Sequence, residues 1–304
     1  MDSGYIVLIL FTLLVGILFH QAWQGHSESI LTGFFAVLGG ILVAWVFYHF
    51  LAPLLDSRVG VMSLKQRILS SGVLGLGGWA ALRGPAATFS AWLHQPGNPL
   101  HFCSDGFAAG LVSLLPGLVL VFLLSLCLRW AGTVLELRNY QTLCHPNAYF
   151  PAATYPHWSG MTVWRDGWES LPGVEGVCNL VAGTARKRHR NLAALVIASS
   201  KKPFFHQLGE DPETAPLLNN AAFQGLLEDP GILALREARD SLGLIASPRL
   251  QAASLDRELK VLLTVVNLRN AADRFFLSDH WQGTVKQEKV ANQVIRAAEK
   301  ENGR

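Results

Sequence analysis

Ionised side chains are nearly missing from the first 128 residues of this 304-residue chain. Arg58, Lys65, Arg67 and Arg83 stand there against Asp2, Glu28, Asp56 and Asp105, and the segment has no other Lys, Arg, Asp or Glu. Such a stretch cannot coat itself in water, which excludes an ordinary soluble domain for that half. Cysteine is scarce as well. Cys103, Cys127, Cys144 and Cys178 form no CxxC pair, so neither a zinc ribbon nor a disulfide-stapled scaffold is indicated. The chain also lacks a Walker loop, a GxSxG elbow and an HExxH helix. On these grounds no catalytic, cofactor-binding or metal-binding residue is assigned, and no cofactor is expected.

What the first half does have is long apolar runs. Residues 106–128, GFAAGLVSLLPGLVLVFLLSLCL, carry no ionisable side chain other than the Cys127 thiol and are long enough to cross a bilayer as a helix. Tyr5 to Phe19 lacks the positive leader of a secretory signal and reads as a retained helix that extends towards Trp23. Ile30 to Phe50 is a second span, stopped by Pro53. Ile68 to Leu93 is a third candidate, interrupted by Arg83, Gly84 and Pro85, and reads as a crossing, a broken helix or a re-entrant segment. The basic residues fall in the 53–67 loop and just after the last span, at Arg129 and Arg138, while 20–29 and 94–105 contain no Lys or Arg. That asymmetry favours four spans with both termini in the cytoplasm. Ala36, Gly40 and Ala44 recur every four residues, and Gly106 and Gly110 form a GxxxG, spacings that serve helix packing within the chain or in a homo-oligomer. No Asp, Glu or Lys lies centrally in the first, second or last span, which argues against a proton-coupled pump; Arg83, with Gly84, is the functional candidate.

The second half has the polar content of a soluble domain. Residues 129–176 read as an aromatic, Pro/Gly-rich linker suited to a membrane surface, 177–280 as a soluble helical domain, and 281–304 as a polar tail. Arg186, Lys187, Arg188 and Arg190 form the densest positive cluster, a solvated helix face or a patch drawn to anionic lipid; nucleic acid is disfavoured as a partner. A period appears when 209–226, 227–244 and 245–262 are aligned: Asp211-Pro212, Asp229-Pro230 and Ser247-Pro248 coincide. Each pair suits a helix start, because Asp or Ser can cap free backbone N–H groups and Pro needs no partner at the first position. A longer helix is expected from Leu255 to Phe276. The fold class that follows is all-α: polytopic membrane helices over 1–128, then short Asp-Pro-initiated helices.

Gly16, Gly25 and Glu28 around the first hairpin, and the glycine-punctuated stretch Val73-Leu74-Gly75 through Gly78 to Leu82-Arg83-Gly84, resemble the CvpA (colicin V production protein) family of bacterial inner-membrane proteins. The phrase from Leu217 to Pro230 is similar to the C-terminal extension of longer members. Departures are Ser71-Gly72 in place of Asp-Arg, and Gln24 in place of a basic residue. The resemblance implies a non-enzymatic envelope protein of the inner membrane, connected with colicin export or envelope upkeep. Its partners would be membrane lipid, an unknown protein bound by the cytoplasmic helices, and further copies of itself. Two other classes compete: a subunit of an oligomeric channel or transporter, and a membrane enzyme using the His94, His101, Cys103 and Asp105 loop.

Overall fold

The computed structural model describes residues 3–59, 64–98, 101, 106–145, 150–181, 186–279 and 281–287. Cys103, Asp105 and the tail from 288 onward lie outside the described residues. Among those described, every regular element is helical, and the fold is all-α. The chain divides into two compact units, Met1–Cys127 with Gly167–Leu171, and Leu128–Asp166 with Pro172–Arg304.

The first unit begins with α1 (Ser3–Gln21), which ends in a widened turn over Ala22–His26. Gly25 adopts φ +87° there, a left-handed conformation that favours glycine, and this ends one helix before α2 (Ser27–Val46) starts. After α3 (Ala52–Val59), α4 (Leu64–Leu93) is one continuous helix that carries Pro85 inside it, so the expected interruption at Arg83-Gly84-Pro85 does not occur. The α5 helix (Gly106–Leu143) runs past the apolar stretch without a break. Two helical stretches, Ser3–Leu55 and Gly106–Leu143, are long and apolar enough to cross a membrane. α4 is not one of them, since its glycines and Arg83 dilute its apolar character.

Polarity in this unit is turned inside out. Tyr5, Leu10, Leu13, Leu42, Leu69, Leu76, Leu115 and Leu118 are all more than half exposed, whereas Gly40, Ala36, Ala109 and several serines are buried. The second unit has the ordinary arrangement. Its centre is α8 (Lys187–Ala198), buried at every position from His189 to Ala198; the last seven of these, 192–198, are apolar on every side, as expected of a buried helix. The same unit holds α7 (Val174–Val181), α9 (Lys202–Glu210), α10 (Ala215–Leu218), α11 (Ala221–Glu228), α12 (Pro230–Glu237), α13 (Ser241–Ala246), α14 (Pro248–Ala253), α15 (Arg257–Val265) and α16 (Leu268–Phe276), of which α9, α13, α14 and α15 pack on α8. α6 (Gly160–Glu169) precedes them, and its last residues, from Gly167, cluster with the first unit.

Three expectations about this half are corrected. The 129–176 stretch is not a separate linker: Leu137, Tyr140, Leu143 and Tyr155 belong to the second unit's core. Asp273 fixes the aromatic segment to α16 by accepting hydrogen bonds from the Tyr155 hydroxyl (2.7 Å) and the Trp158 indole (2.9 Å). The core also extends past residue 280, because Trp281 and Val285 are buried in it. Finally, the expected long helix is two, α15 and α16, separated at Val266-Asn267. Buried Asn191 donates to the carbonyls of Leu263 (2.7 Å) and Val266 (3.1 Å), satisfying the end of α15 from within the core.

Candidate functional site

α2 and α4 pack antiparallel along a seam of small residues. A Cβ added to Gly40 would meet the Gly75 carbonyl oxygen at 2.7 Å and the Trp79 amide nitrogen at 3.2 Å, so only glycine allows this approach. A Cβ on Gly75 would lie 3.0 Å from the Ala44 Cβ, and one on Gly78 2.9 Å from the Val43 side chain. Ala36, Gly40 and Ala44 therefore point one stripe at the neighbouring helix of the same chain. Gly110 lies against the Phe19 ring of α1, whereas Gly106 contacts nothing comparable and opens α5 at φ +67°.

The seam is tied at one end by polar groups. Ser90 donates to the Glu28 carbonyl (2.9 Å), and His94 Nδ1 donates to the Ser90 carbonyl (2.7 Å). A carbonyl can only accept, so this bond fixes the proton on Nδ1; Nε2 then accepts from the Ser27 hydroxyl at 2.8 Å. His94 is thus a structural clamp, while His101 of the same expected loop is exposed.

Beside this clamp lies a cavity of about 510 Å³ whose polar walls are His26, Glu28, Ser29, Thr32 and Arg83, with Gly25, Gly33, Ala36 and Trp79 completing it. Three positions quoted for the family resemblance, Gly25, Glu28 and Arg83, are distant in sequence and line this one space. The Arg83 guanidinium is 6.0 Å from the centroid of the Trp79 ring. Among the described residues no ion pair joins Glu28 to Arg83, so a carboxylate and a guanidinium face the same cavity with hydrogen-bonding capacity left over. Gly84, next to Arg83, borders open space.

The positive cluster divides. Arg186, Lys187 and Arg188 are part-exposed at the start of α8, but Arg190 is buried at 6% exposure and does not lie on the surface. The positive end of a helix is an unfavourable place for cations, and Arg190 turns inward, its Nε 4.0 Å from Glu136. Burial, and then its neighbour Arg186, lower the Arg188 pKa from the usual guanidinium value.

Glu136 anchors a network that sequence reasoning missed. Arg165 donates to Glu136 (2.7 Å), to Asp166 (2.6 Å) and to the Thr133 hydroxyl (3.3 Å). Arg269 reaches Asp166 at 2.6 Å and Glu136 at 3.4 Å, with its guanidinium stacked 5.0 Å from the centre of the Trp158 ring. Burial would raise the Asp166 pKa, yet Arg165 and Arg269 outweigh it and hold the carboxyl below its usual range. Burial likewise opposes the charge on Arg165, and Glu136 and Asp166 overcome it, raising the guanidinium's pKa. Gly132 permits the contact, since a Cβ there would lie 3.0 Å from both the Arg165 side chain and the Met161 carbonyl. The available signal was spacing: Arg129, Thr133, Glu136 and Tyr140 recur at helical intervals directly after the apolar run and form a buried stripe. The network joins α5, α6, α8 and α16, and its paired charges suit cohesion.

Among the described residues no group of three or more His, Cys, Asp or Glu is placed to hold a metal ion. Comparison with protein-family models, curated proteins and solved structures finds no match to this chain.

Proposed function

We propose that this chain is a multi-pass protein of the bacterial inner membrane, of the CvpA type, that acts as a scaffold or assembly factor in envelope processes such as colicin export. α1, α2, α4 and α5 are its four crossings, and both termini lie in the cytoplasm. One observation carries the reading: large apolar side chains cover the outside of the first unit, while the second buries its own. Exposed apolar surface on that scale suits lipid, and is rare on a soluble monomer. The lengths agree, since α1 and α2, of 19 and 20 residues, each extend about 30 Å, the depth of a hydrocarbon core. The second unit is the part that would meet a protein partner.

Alkaline carbonate washing should leave the full chain in the membrane pellet, and affinity purification should bring down one stoichiometric protein that is lost on deleting residues 209–276. Retention of that protein after the deletion would count against the scaffold role. A second reading, a subunit of a channel or transporter, is favoured by the polar cavity at Glu28 and Arg83 within so charge-poor a unit. Solute flux into liposomes containing the purified chain tests it, and a tight, monomeric preparation would end it.

A further inference from the structure

We infer that the α2/α4 seam holds one phospholipid with a phosphoethanolamine head, its phosphate on Arg83 and its ammonium on Glu28. The inference rests on the membrane placement proposed above. Below the polar cavity lies a second space of about 380 Å³, an apolar groove between Val37, Ile41 and Ala44 on α2 and Gly72, Gly75 and Leu76 on α4. Trp79 walls both spaces. Going down α2 from Glu28, the lining changes from charged and hydroxylic to wholly apolar, the order of groups in an amphiphile. The apolar part, Val37 to Ala44, covers about 10 Å of helix, room for the upper part of an acyl chain.

Chemistry selects the head. A planar guanidinium matches phosphate oxygens, and Arg83 is exposed on the cavity. Glu28 is acceptor-only when ionised and needs donors; a primary ammonium supplies three, and the Ser29 and Thr32 hydroxyls can accept from it too. Choline carries no N–H to offer. Glycerol carries no positive charge and would leave Glu28 repelling the phosphate. Gly72 lines the groove, and nothing lies within 4 Å of where its Cβ would be.

Full-length protein, first shown to resist carbonate extraction, is mixed in detergent with equimolar phosphatidylethanolamine, phosphatidylglycerol and phosphatidylcholine of one acyl composition. Native mass spectrometry then counts the lipids retained. One phosphatidylethanolamine should be kept about tenfold over either competitor. Arg83→Gln should reduce its retention about tenfold, and Gly72→Leu, which adds bulk to the groove wall at a position where a Cβ meets no neighbour, should do the same. Glu28→Gln should erase the preference for phosphatidylethanolamine over phosphatidylglycerol. Equal retention of the three lipids, preference for another, no retention, or unchanged retention in R83Q and G72L with native helical content would each overturn the inference. A chain extracted by carbonate would instead sink the membrane reading itself.

Discussion

Asn191 shows what a single polar side chain contributes to the second unit. Its amide serves two carbonyls where α15 stops, inside the buried core. Asn191→Leu keeps the branched shape of the side chain but leaves both acceptors unmet, so unfolding should become easier by about 2–4 kcal/mol, read as a lowered midpoint in urea. Cys144 is a second case. Burial pushes its thiol up to about 12, although Lys201 pulls the other way. At pH 8 it should resist iodoacetamide in the native chain and label fully once unfolded, as peptide mass spectrometry would report. Asp166 carries the pH dependence. Its folded carboxyl is held below its unfolded value, so its share of stability is present above about pH 4 and disappears as pH falls through the folded pKa. Asp166→Asn should lower the Tm at neutral pH, and the gap from the unaltered chain should close in acid. Local sequence shows only the Arg165–Asp166 adjacency; the burial of Asn191 and Cys144, and the Arg269 contact to Asp166, depend on residues distant in the chain.

At the scale of elements, one of the three expected caps, Asp229, forms as the sequence suggests. Asp229 accepts from the amides of Gly231 (2.9 Å) and Ile232 (3.0 Å), as its Asp-Pro step suggests. The same step at Asp211 makes only a turn, with Glu213 donating to it at 3.0 Å, and the next helix waits until Ala215. Ser247 stands at the start of α14 without a side-chain cap bond. The 18-residue period is therefore a pattern of sequence and not a repeated structural unit, since its three steps begin in three different ways. Small-residue spacing was legible in α2, although sequence alone left open whether the stripe met its own chain or a copy. Gly40 decides the point, because its contact with Gly75 is backbone to backbone. Gly40→Val would force α2 and α4 apart and should destabilise the first unit by at least about 1–3 kcal/mol, seen as early thermal aggregation in detergent. Gly33→Ala, where nothing is within 4 Å, should be close to neutral and serves as the control.

For the whole molecule, the scarcity of charge before residue 128 anticipated a unit that exposes its apolar side chains, because a segment with so few ionised groups has little else to expose. The candidate cavity was half legible: Arg83 stood out as an isolated charge, but only the fold places it across from Glu28, 55 positions away in sequence. What composition left open was α4. It is 30 residues long, about 45 Å of helix, and it packs against α2 along its seam, yet it is less apolar than its neighbours. A helix that meets α2 through glycines need not be greasy on that face, and Arg83 can reach the headgroup level through the polar cavity. These features support the proposed topology, in which α4 is the third crossing. Alkaline phosphatase fused after Leu100 should then be active outside the cytoplasm and inactive after Arg138, with a cytoplasmic fluorescent reporter giving the opposite pattern. Phosphatase activity after Arg138 would mean that α4 turns back, would place the second unit outside against the Arg129 and Arg138 charges, and would remove the cytoplasmic scaffold from consideration.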